Sequence, residues 1–229
     1  MKNYIYLHIC CINNWKDIVK HLFANIKSSG LYDIIDEIRC VVLGTNDDVN
    51  YINDNYDDDK KKIKIIYQEN NFDLYEFKIM ELIYQDSLKE DFNILYIHSK
   101  GVKYYGLKEE ECVKDWVNYL IYFNIENYKI CLNYLNNYDA VGVNLQLNPV
   151  CHYSGNFWWS KSEHIKTLGL IEDKSYNGPE FYITKKKEGK YIGLWTSYQY
   201  HYNYRYSREN YLNKININYI NNHEFKMII

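Results

Sequence analysis

The chain holds little that would hinge it or staple it. Its 229 residues include only 2 prolines and 10 glycines, and no Gly-, Ser- or Pro-rich stretch or internal repeat separates one part from another. A single domain over residues 1–229 is expected, at a length that buries one good core. The six cysteines, at 10, 11, 40, 112, 131 and 151, form no C-x-x-C pair. That spacing excludes a zinc framework or a disulfide scaffold and leaves reduced, buried thiols. No apolar run reaches membrane-spanning length, and Met1-Lys2-Asn3-Tyr4-Ile5 reads directly into a strand rather than a signal peptide. A cytoplasmic protein is expected. With a net charge of −3 and no basic stripe, a nucleic-acid surface is excluded. Asp57-Asp58-Asp59 followed by Lys60-Lys61-Lys62 reads as a solvated turn of self-neutralising charge. There is no G-x-G-x-x-G and no Walker lysine loop, so ordinary dinucleotide and P-loop chemistry is disfavoured.

What is present is an alternation of buried strands and amphipathic helices. Tyr4 to Ile12 is an apolar, β-branched run, after which Asn13 or Asn14 can cap a helix. Trp15, Ile18, Val19, Leu22, Phe23 and Ile26 share one face of that helix, and Gly30 can end it. Ile38–Leu43 and Ile63–Tyr67 read as strands, Leu74–Leu88 as a helix and Phe92–Ile97 as a fourth strand. The order predicts an α/β fold with a central, mostly parallel mixed sheet flanked by helices. Ligands of such sheets lie beyond the carboxyl ends of the strands. Those ends carry His8, Cys10, Thr45, Asp47, Gln68 and the run His98-Ser99-Lys100-Gly101. Further on, Glu109 to about Asn137 reads as a broken helix and Ala140–Leu145 as a strand stopped before Pro149. Ser160-Lys161-Ser162-Glu163 has capping-box spacing for a helix ending near Gly169, and another helix should run from Pro179 toward Gly189.

Several residues suit chemistry. The adjacent Trp158 and Trp159, after the turn Ser154-Gly155-Asn156, are hard to bury together in one small core and would offer flat faces to a sugar. Packing inside the fold is the other reading. Glu180 falls in the first turn of the helix opened by Pro179, where the macrodipole favours its ionised form. It either steadies that helix end or acts as general base toward a hydroxyl. His98 and Lys100 would converge on one ligand if the chain turns at Gly101, although a lone histidine at a strand end also serves as a polar cap. Tyr198, Tyr200, Tyr202, Tyr204 and Tyr206 recur with period two, with His201 and Arg205 between them, which predicts an extended strand or flap.

Five segments together resemble a family of GT-A-type glycosyltransferases of bacteria and large DNA viruses over most of the chain. They are Asn14-Trp15-Lys16-Asp17-Ile18 with Ser29-Gly30-Leu31-Tyr32-Asp33; Leu95-Tyr96-Ile97-His98-Ser99-Lys100-Gly101-Val102, like the family's "YxHTKGV"; Lys114-Asp115-Trp116; His152-Tyr153-Ser154-Gly155-Asn156-Phe157-Trp158-Trp159; and Pro179-Glu180-Phe181-Tyr182-Ile183, like "AEFWI". The resemblance implies a GT-A fold and a nucleoside-diphosphate sugar donor held by residues of about 1–105. It also implies a saccharide or glycan acceptor bound by residues of about 106–229, in the host cytoplasm if the protein is viral. It implies Glu180 as the base of an inverting transfer. His8, Cys10, Thr45, Asp47, His98, Lys100, Gly101 and Arg205 would contact the donor, and Asn156, Trp158 and Trp159 would form the sugar platform. The family's Asp-x-Asp is missing where Tyr96-Ile97-His98-Ser99-Lys100 stands. Either His98 and His201 help hold a Mn²⁺ or Mg²⁺ ion, or Lys100 and Arg205 neutralise the diphosphate without one. The competing readings are a sugar-binding module that has lost transfer and a sugar nucleotidyltransferase.

Overall fold

The computed structural model describes residues 1–56, 60–214 and 216–220 in full, and 221 and 224–228 by their backbone. Asp57–Asp59 of the expected charged turn lie outside the described residues. The first apolar run forms strand β1 (Lys2–Cys10), buried along its middle because both faces of the sheet are covered. Helix α1 (Trp15–Ser28) buries Trp15, Val19, Leu22, Phe23 and Ile26 along one stripe. Gly30, at φ 79°, then turns the chain into the short α2 (Leu31–Ile34). Next come β2 (Glu37–Leu43), α3 (Asn46–Tyr56), β3 (Ile63–Glu69), α4 (Phe77–Ser87) and β4 (Phe92–His98). β1 pairs in parallel with β2 and β4, and β2 with β3, so the order across this half is β3-β2-β1-β4.

The second half begins with α5 (Glu110–Ile121), whose expected break is a π-helical turn at Tyr122–Glu126 before α6 (Tyr128–Tyr134). Then follow β5 (Ala140–Gly142), the ribbon of β6 (Leu145–Gln146) and β7 (His152–Tyr153), β8 (Trp158–Lys161), α7 (Ser162–Leu168), α8 (Gly178–Tyr182), β9 (Tyr191–Gly193), β10 (Ile217–Asn221) and β11 (Glu224–Ile228). β8 inserts antiparallel between β4 and β5 and joins the halves into one mixed sheet of nine strands among the described residues. Its longest ladders are parallel, and helices flank it, so the expected α/β class is observed. Among the described residues no helix is long and apolar enough to cross a membrane.

The tryptophan pair occupies β8, and this overturns its expected role as a sugar platform. Trp158 and Trp159 are both 0% exposed. Successive strand residues face opposite sides, and this sheet has a core on each side. Trp158 packs against Tyr96 at 5.1 Å in one core, whereas Trp159 joins the other. Each indole N–H is satisfied, by Asn156 Oδ1 at 2.9 Å and Asn124 O at 2.8 Å. The expectation assumed one core where the fold has two.

Three local expectations also change. The Ser160 capping box does not form: Ser160 Oγ donates to Asp139 O at 2.7 Å, and Ser162 Oγ accepts from Phe92 N at 3.0 Å. α7 starts at Ser162 without a side-chain cap and ends before Gly169 at φ 69°. The helix expected from Pro179 toward Gly189 is the five-residue α8. Tyr198–Tyr206 is a turn segment closed by bonds from Asn203 N and Tyr204 N to Tyr200 O, not a strand. Both edges of β9 are already taken, by β5 and β10, so no sheet position remains beside it.

Replacing either tryptophan by alanine should cost about 3–5 kcal/mol, the range for emptying a large aromatic site in a core. Urea denaturation of Trp158→Ala and Trp159→Ala measures it. A loss below about 1 kcal/mol would mean that the rings are not packed as described.

Candidate functional site

The strand order reverses between β1 and β4, and the crevice at the carboxyl ends of such neighbours is where open α/β sheets bind ligands. A cleft of about 250 Å³ opens there. β1 contributes His8 and Cys10, the end of β4 contributes His98, the segment after it contributes Ser99 to Tyr104, and the start of α4 contributes Glu76. Asn156 and Glu180 close it from the second half, with Tyr75 and Tyr176 on its rim. The volume is below the ~300–1,000 Å³ of sites that enclose a drug-sized ligand, so a long ligand must extend along the open mouth.

The floor is a polar network set by strand register. His8 and His98 are register partners on β1 and β4, so both side chains stand on the same face. Glu76 meets them from α4. Its Oε2 accepts from the Tyr96 hydroxyl and from Asn156 Nδ2, the latter at 2.7 Å, and lies 2.9 Å from His98 Nδ1. The histidine N–H is out of line with that oxygen, so this last contact is electrostatic rather than a directed hydrogen bond. Burial alone would raise the Glu76 pKa, but the nearby His98, then His8 and the hydrogen bond from Tyr96, hold it down at about 2. His8 is 5% exposed and its Nδ1 has no hydrogen-bond partner among the described residues. Burial, with His98 acting in the same sense and Glu76 opposing, lowers its pKa to about 4.

The wall is built from Glu180 and Lys100. Gly155 N donates to Glu180 Oε1 at 2.8 Å, which leaves the second carboxylate oxygen for the cleft. Gly155 sits at φ 99°, and a Cβ there would lie 2.8 Å from Leu120 Cδ1, so only glycine presents its N–H in this position. Gly101, at φ 106°, turns the chain after β4 so that His98 and Lys100 line the same space. Lys100 Nζ lies 3.8 Å from the centre of the Trp116 ring. Burial lowers the lysine pKa, while Glu180 and then Glu76 oppose that shift.

Seven sequence-predicted residues thus meet in one cleft: His8, Cys10, His98, Lys100, Gly101, Asn156 and Glu180. Their detailed roles differ from expectation in places. Asn156 is a bracket, donating to Glu76 and accepting from Trp158, rather than a stacking platform. Burial pushes the Cys10 thiol up to about 11, so it is no nucleophile, and its backbone N–H bonds Ser99 Oγ.

Four other residues fall elsewhere, besides the tryptophans. Thr45 caps α3, with its N–H and hydroxyl both bonded to Asp48 Oδ2 at 2.8 Å. Asp47 lies exposed in the first turn of that helix, outside the cleft lining. Arg205 is paired bidentately with Asp115, including Nη2 to Oδ1 at 3.1 Å, and does not line the cleft. His201 stacks on Trp116 at 5.1 Å and 10°, and its Nε2 is taken up by Ser197 Oγ at 2.7 Å and Asn144 Nδ2 at 3.1 Å.

Among the described residues no three His, Cys, Asp or Glu side chains converge on a point where an ion could sit. Glu76 Oε2 is already committed, and His201 belongs to the packing beneath Trp116 rather than to the cleft beside His98.

Sequence reasoning missed Glu76 and the aromatic rim. Glu76 lay inside the expected Leu74–Leu88 helix. Its signal was an acidic residue where a helix begins after a strand, on the same edge as the other candidates. Tyr75 is strained, at φ 43° and ψ −136°, and meets Tyr176 edge to face at 5.5 Å across the mouth. A larger cavity of about 560 Å³ lies on the other side of α8, lined by Phe181 and Tyr182 in place of Glu180. None of the candidate residues lines it.

No family model matches the chain, and none of the curated proteins does. Among solved structures, it is similar to that of 4-diphosphocytidyl-2C-methyl-D-erythritolsynthase from Anaerococcus prevotii DSM 20548. The identity is 12% and the TM-score 0.47, over 91% of this chain and 94% of that one. The chemistry assigned below therefore rests on the cleft.

Two of the buried histidines, His8 and His201, give the protein an acid sensitivity whose sign is fixed, and burial lowers His164 in the same direction. His8, facing Glu76 and His98, and His201, facing Lys100 and Asp115, both have pKa values lowered from 6.5 to about 4. Between those values the unfolded chain binds protons that the folded chain refuses. Stability is therefore complete above pH 6.5 and falls as the pH drops toward 4, by up to on the order of 3 kcal/mol per histidine. Denaturation curves across this range should show the decline, and His8→Asn or His201→Asn should flatten it. An unchanged slope in both variants would contradict the assignment.

Proposed function

We propose that the chain is a glycosyltransferase that moves a sugar from a nucleoside-diphosphate donor to a hydroxyl of a saccharide or glycan acceptor. One observation carries this reading. The carboxylate of Glu180, with one oxygen held by the Gly155 N–H and the other without a hydrogen bond among the described residues, faces the same cleft as Lys100. The motif resemblance from Trp15 to Ile183 agrees with it.

In the proposed reaction the acceptor hydroxyl attacks the anomeric carbon while Glu180 takes its proton. A new C–O bond forms as the bond from that carbon to the diphosphate oxygen breaks, and the diphosphate leaves with the electron pair. Attack from the face opposite the leaving group inverts the anomeric centre. The Lys100 ammonium, placed over Trp116 and drawn toward Glu180 and Glu76, stabilises the charge that develops on the leaving diphosphate. Residues of about 1–105 supply His8, Glu76, His98 and Lys100 to the donor. Residues of about 106–229 supply Glu180 and the acceptor side. The exposed rings of Tyr75 and Tyr176 suit the part of the donor that the small cleft leaves outside.

A sugar nucleotidyltransferase would use the same strand ends, but it needs a cradle for a triphosphate. The loop after β1 reads Cys11-Ile12-Asn13-Asn14, without glycine or a basic residue, and Asn13 Nδ2 is spent on Val102 O at 2.7 Å. Pyrophosphate released from a sugar 1-phosphate and a nucleoside triphosphate would select that activity instead.

Glu180→Gln should lower turnover by about 10²–10⁴-fold, the usual share of general-base catalysis, while donor binding is retained. Thermal shift with nucleoside diphosphates and their sugars, alongside product assays, separates the two effects. Wild-type protein that binds donors yet transfers nothing would be a sugar-binding module. Because no three metal-ligating side chains converge among the described residues, stabilisation by the donor in EDTA should equal that in Mn²⁺. Gly155→Ala should lower turnover in the same direction as Glu180→Gln, since its Cβ displaces the N–H that orients the carboxylate.

A further inference from the structure

Glu76 has a feature that the transfer step does not use. Its Oε2 holds Tyr96, Asn156 and His98, whereas no hydrogen bond to Oε1 forms among the described residues. His8 beside it is 95% buried on the 5% exposure given above, lines the cleft, and makes no side-chain hydrogen bond among the described residues. An ionised carboxylate is an acceptor only, and a neutral imidazole is one donor and one acceptor. Because His8 Nδ1 is fully buried, the two residues present one carboxylate oxygen as acceptor and one imidazole nitrogen, donor or acceptor by tautomer, to whatever enters the floor, which is complementary to adjacent hydroxyl groups. The pKa of about 2 keeps Glu76 charged at every working pH.

The surrounding charges sharpen the selection. Lys100 already faces two carboxylates, Glu76 and Glu180. Lys103 is bonded to the Tyr176 hydroxyl and lies 4.6 Å from that ring, at the mouth rather than at the floor. A further negative group at the floor would meet Glu76 in a site partly withdrawn from water, where Lys100 already faces two carboxylates and Lys103 stands away at the mouth.

We propose that Glu76 and His8 form a hydroxyl-reading floor that makes the cleft selective for a donor with a neutral sugar over one whose sugar bears a carboxylate. This rests on the glycosyltransferase reading and names the sugar class for it. Glu76 is a specificity residue here: its Oε1 accepts from a ring hydroxyl in a charge-assisted bond, and its charge repels a uronate. The bonds at Oε2 are what aim Oε1 into the cleft.

The experiment measures affinities by titration calorimetry for UDP, UDP-glucose and UDP-glucuronate, and for GDP, GDP-mannose and GDP-mannuronate. For whichever base binds, the neutral conjugate should bind at least about tenfold more tightly than its uronate. Glu76→Gln keeps an acceptor for Tyr96 and Asn156 but turns the cleft-facing oxygen into an amide donor. It should narrow the gap to less than about threefold, mainly by strengthening the uronate. Tyr96→Phe removes a scaffold bond without changing the cleft's charge and should preserve the gap. Equal affinities for neutral and acidic conjugates in the wild type would overturn the proposal, as would a gap unchanged in Glu76→Gln. The wild-type pair decides the matter even if Glu76→Gln does not fold. Failure of both diphosphates and all four conjugates to bind is a different result, because it removes the glycosyltransferase reading and this inference with it.

Discussion

The pairing of β8 against β4 is the contact on which the architecture of the cleft depends. It sets Leu95 opposite Trp159 and Tyr96 opposite Trp158, and so fills both cores at the junction of the two halves. A one-residue slip would send each indole to the wrong side of the sheet, so the register is tightly specified. The same register carries the loop before β8 into position. Asn156 reaches Glu76 while it accepts from Trp158, and Gly155 presents its N–H to Glu180. Core packing and the placement of both cleft carboxylates are one constraint.

The cleft concentrates more charge than its size would ordinarily hold. Glu76 and Glu180 share the neighbourhood of one lysine, and that lysine rests on an aromatic face rather than in an ion pair at contact distance. Burial works against the charged form of Lys100, whereas the two carboxylates favour it. An arrangement of this kind is poorly compensated without a ligand, because a buried cation gains most when an anion of good geometry completes its shell. The diphosphate of the proposed donor would be such an anion.

The Lys114-Asp115-Trp116 segment acquires a physical meaning in this setting. Asp115 accepts both from Arg205 and from the Tyr206 N–H, which fastens the turn segment that follows β9 onto α5. Trp116, one residue on, carries Lys100 on its ring and His201 stacked at 5.1 Å. Arg205 is therefore a fastener, and its fork geometry, suited equally to a carboxylate or a phosphate, could not reveal the partner in advance. The alternating tyrosines were ambiguous for a similar reason. Tyr202 and Tyr206 do turn inward while Tyr198, Tyr200 and Tyr204 lie exposed, but a turn rather than a strand produces the pattern.

Periodicity and strand-end position alone determined the α/β alternation, a mostly parallel sheet, and the gathering of His8, His98, Lys100 and Gly101 at the strand ends; the order β3-β2-β1-β4 came from the tertiary pairing. The former features follow from local burial and from the chirality of crossovers, which a single sequence encodes. The first-turn position of Glu180 also followed from the sequence, because a short helix start at Pro179 has few alternatives. Only the tertiary structure decided that the tryptophans are core, that Arg205 and His201 support α5 rather than the cleft, and that Glu76 belongs to the floor. Each of those outcomes depends on contacts between residues far apart in the chain. The indoles needed a second core, Arg205 needed Asp115 90 positions away, and Glu76 needed Asn156 80 positions away. No spacing rule within a helix or strand carries that information.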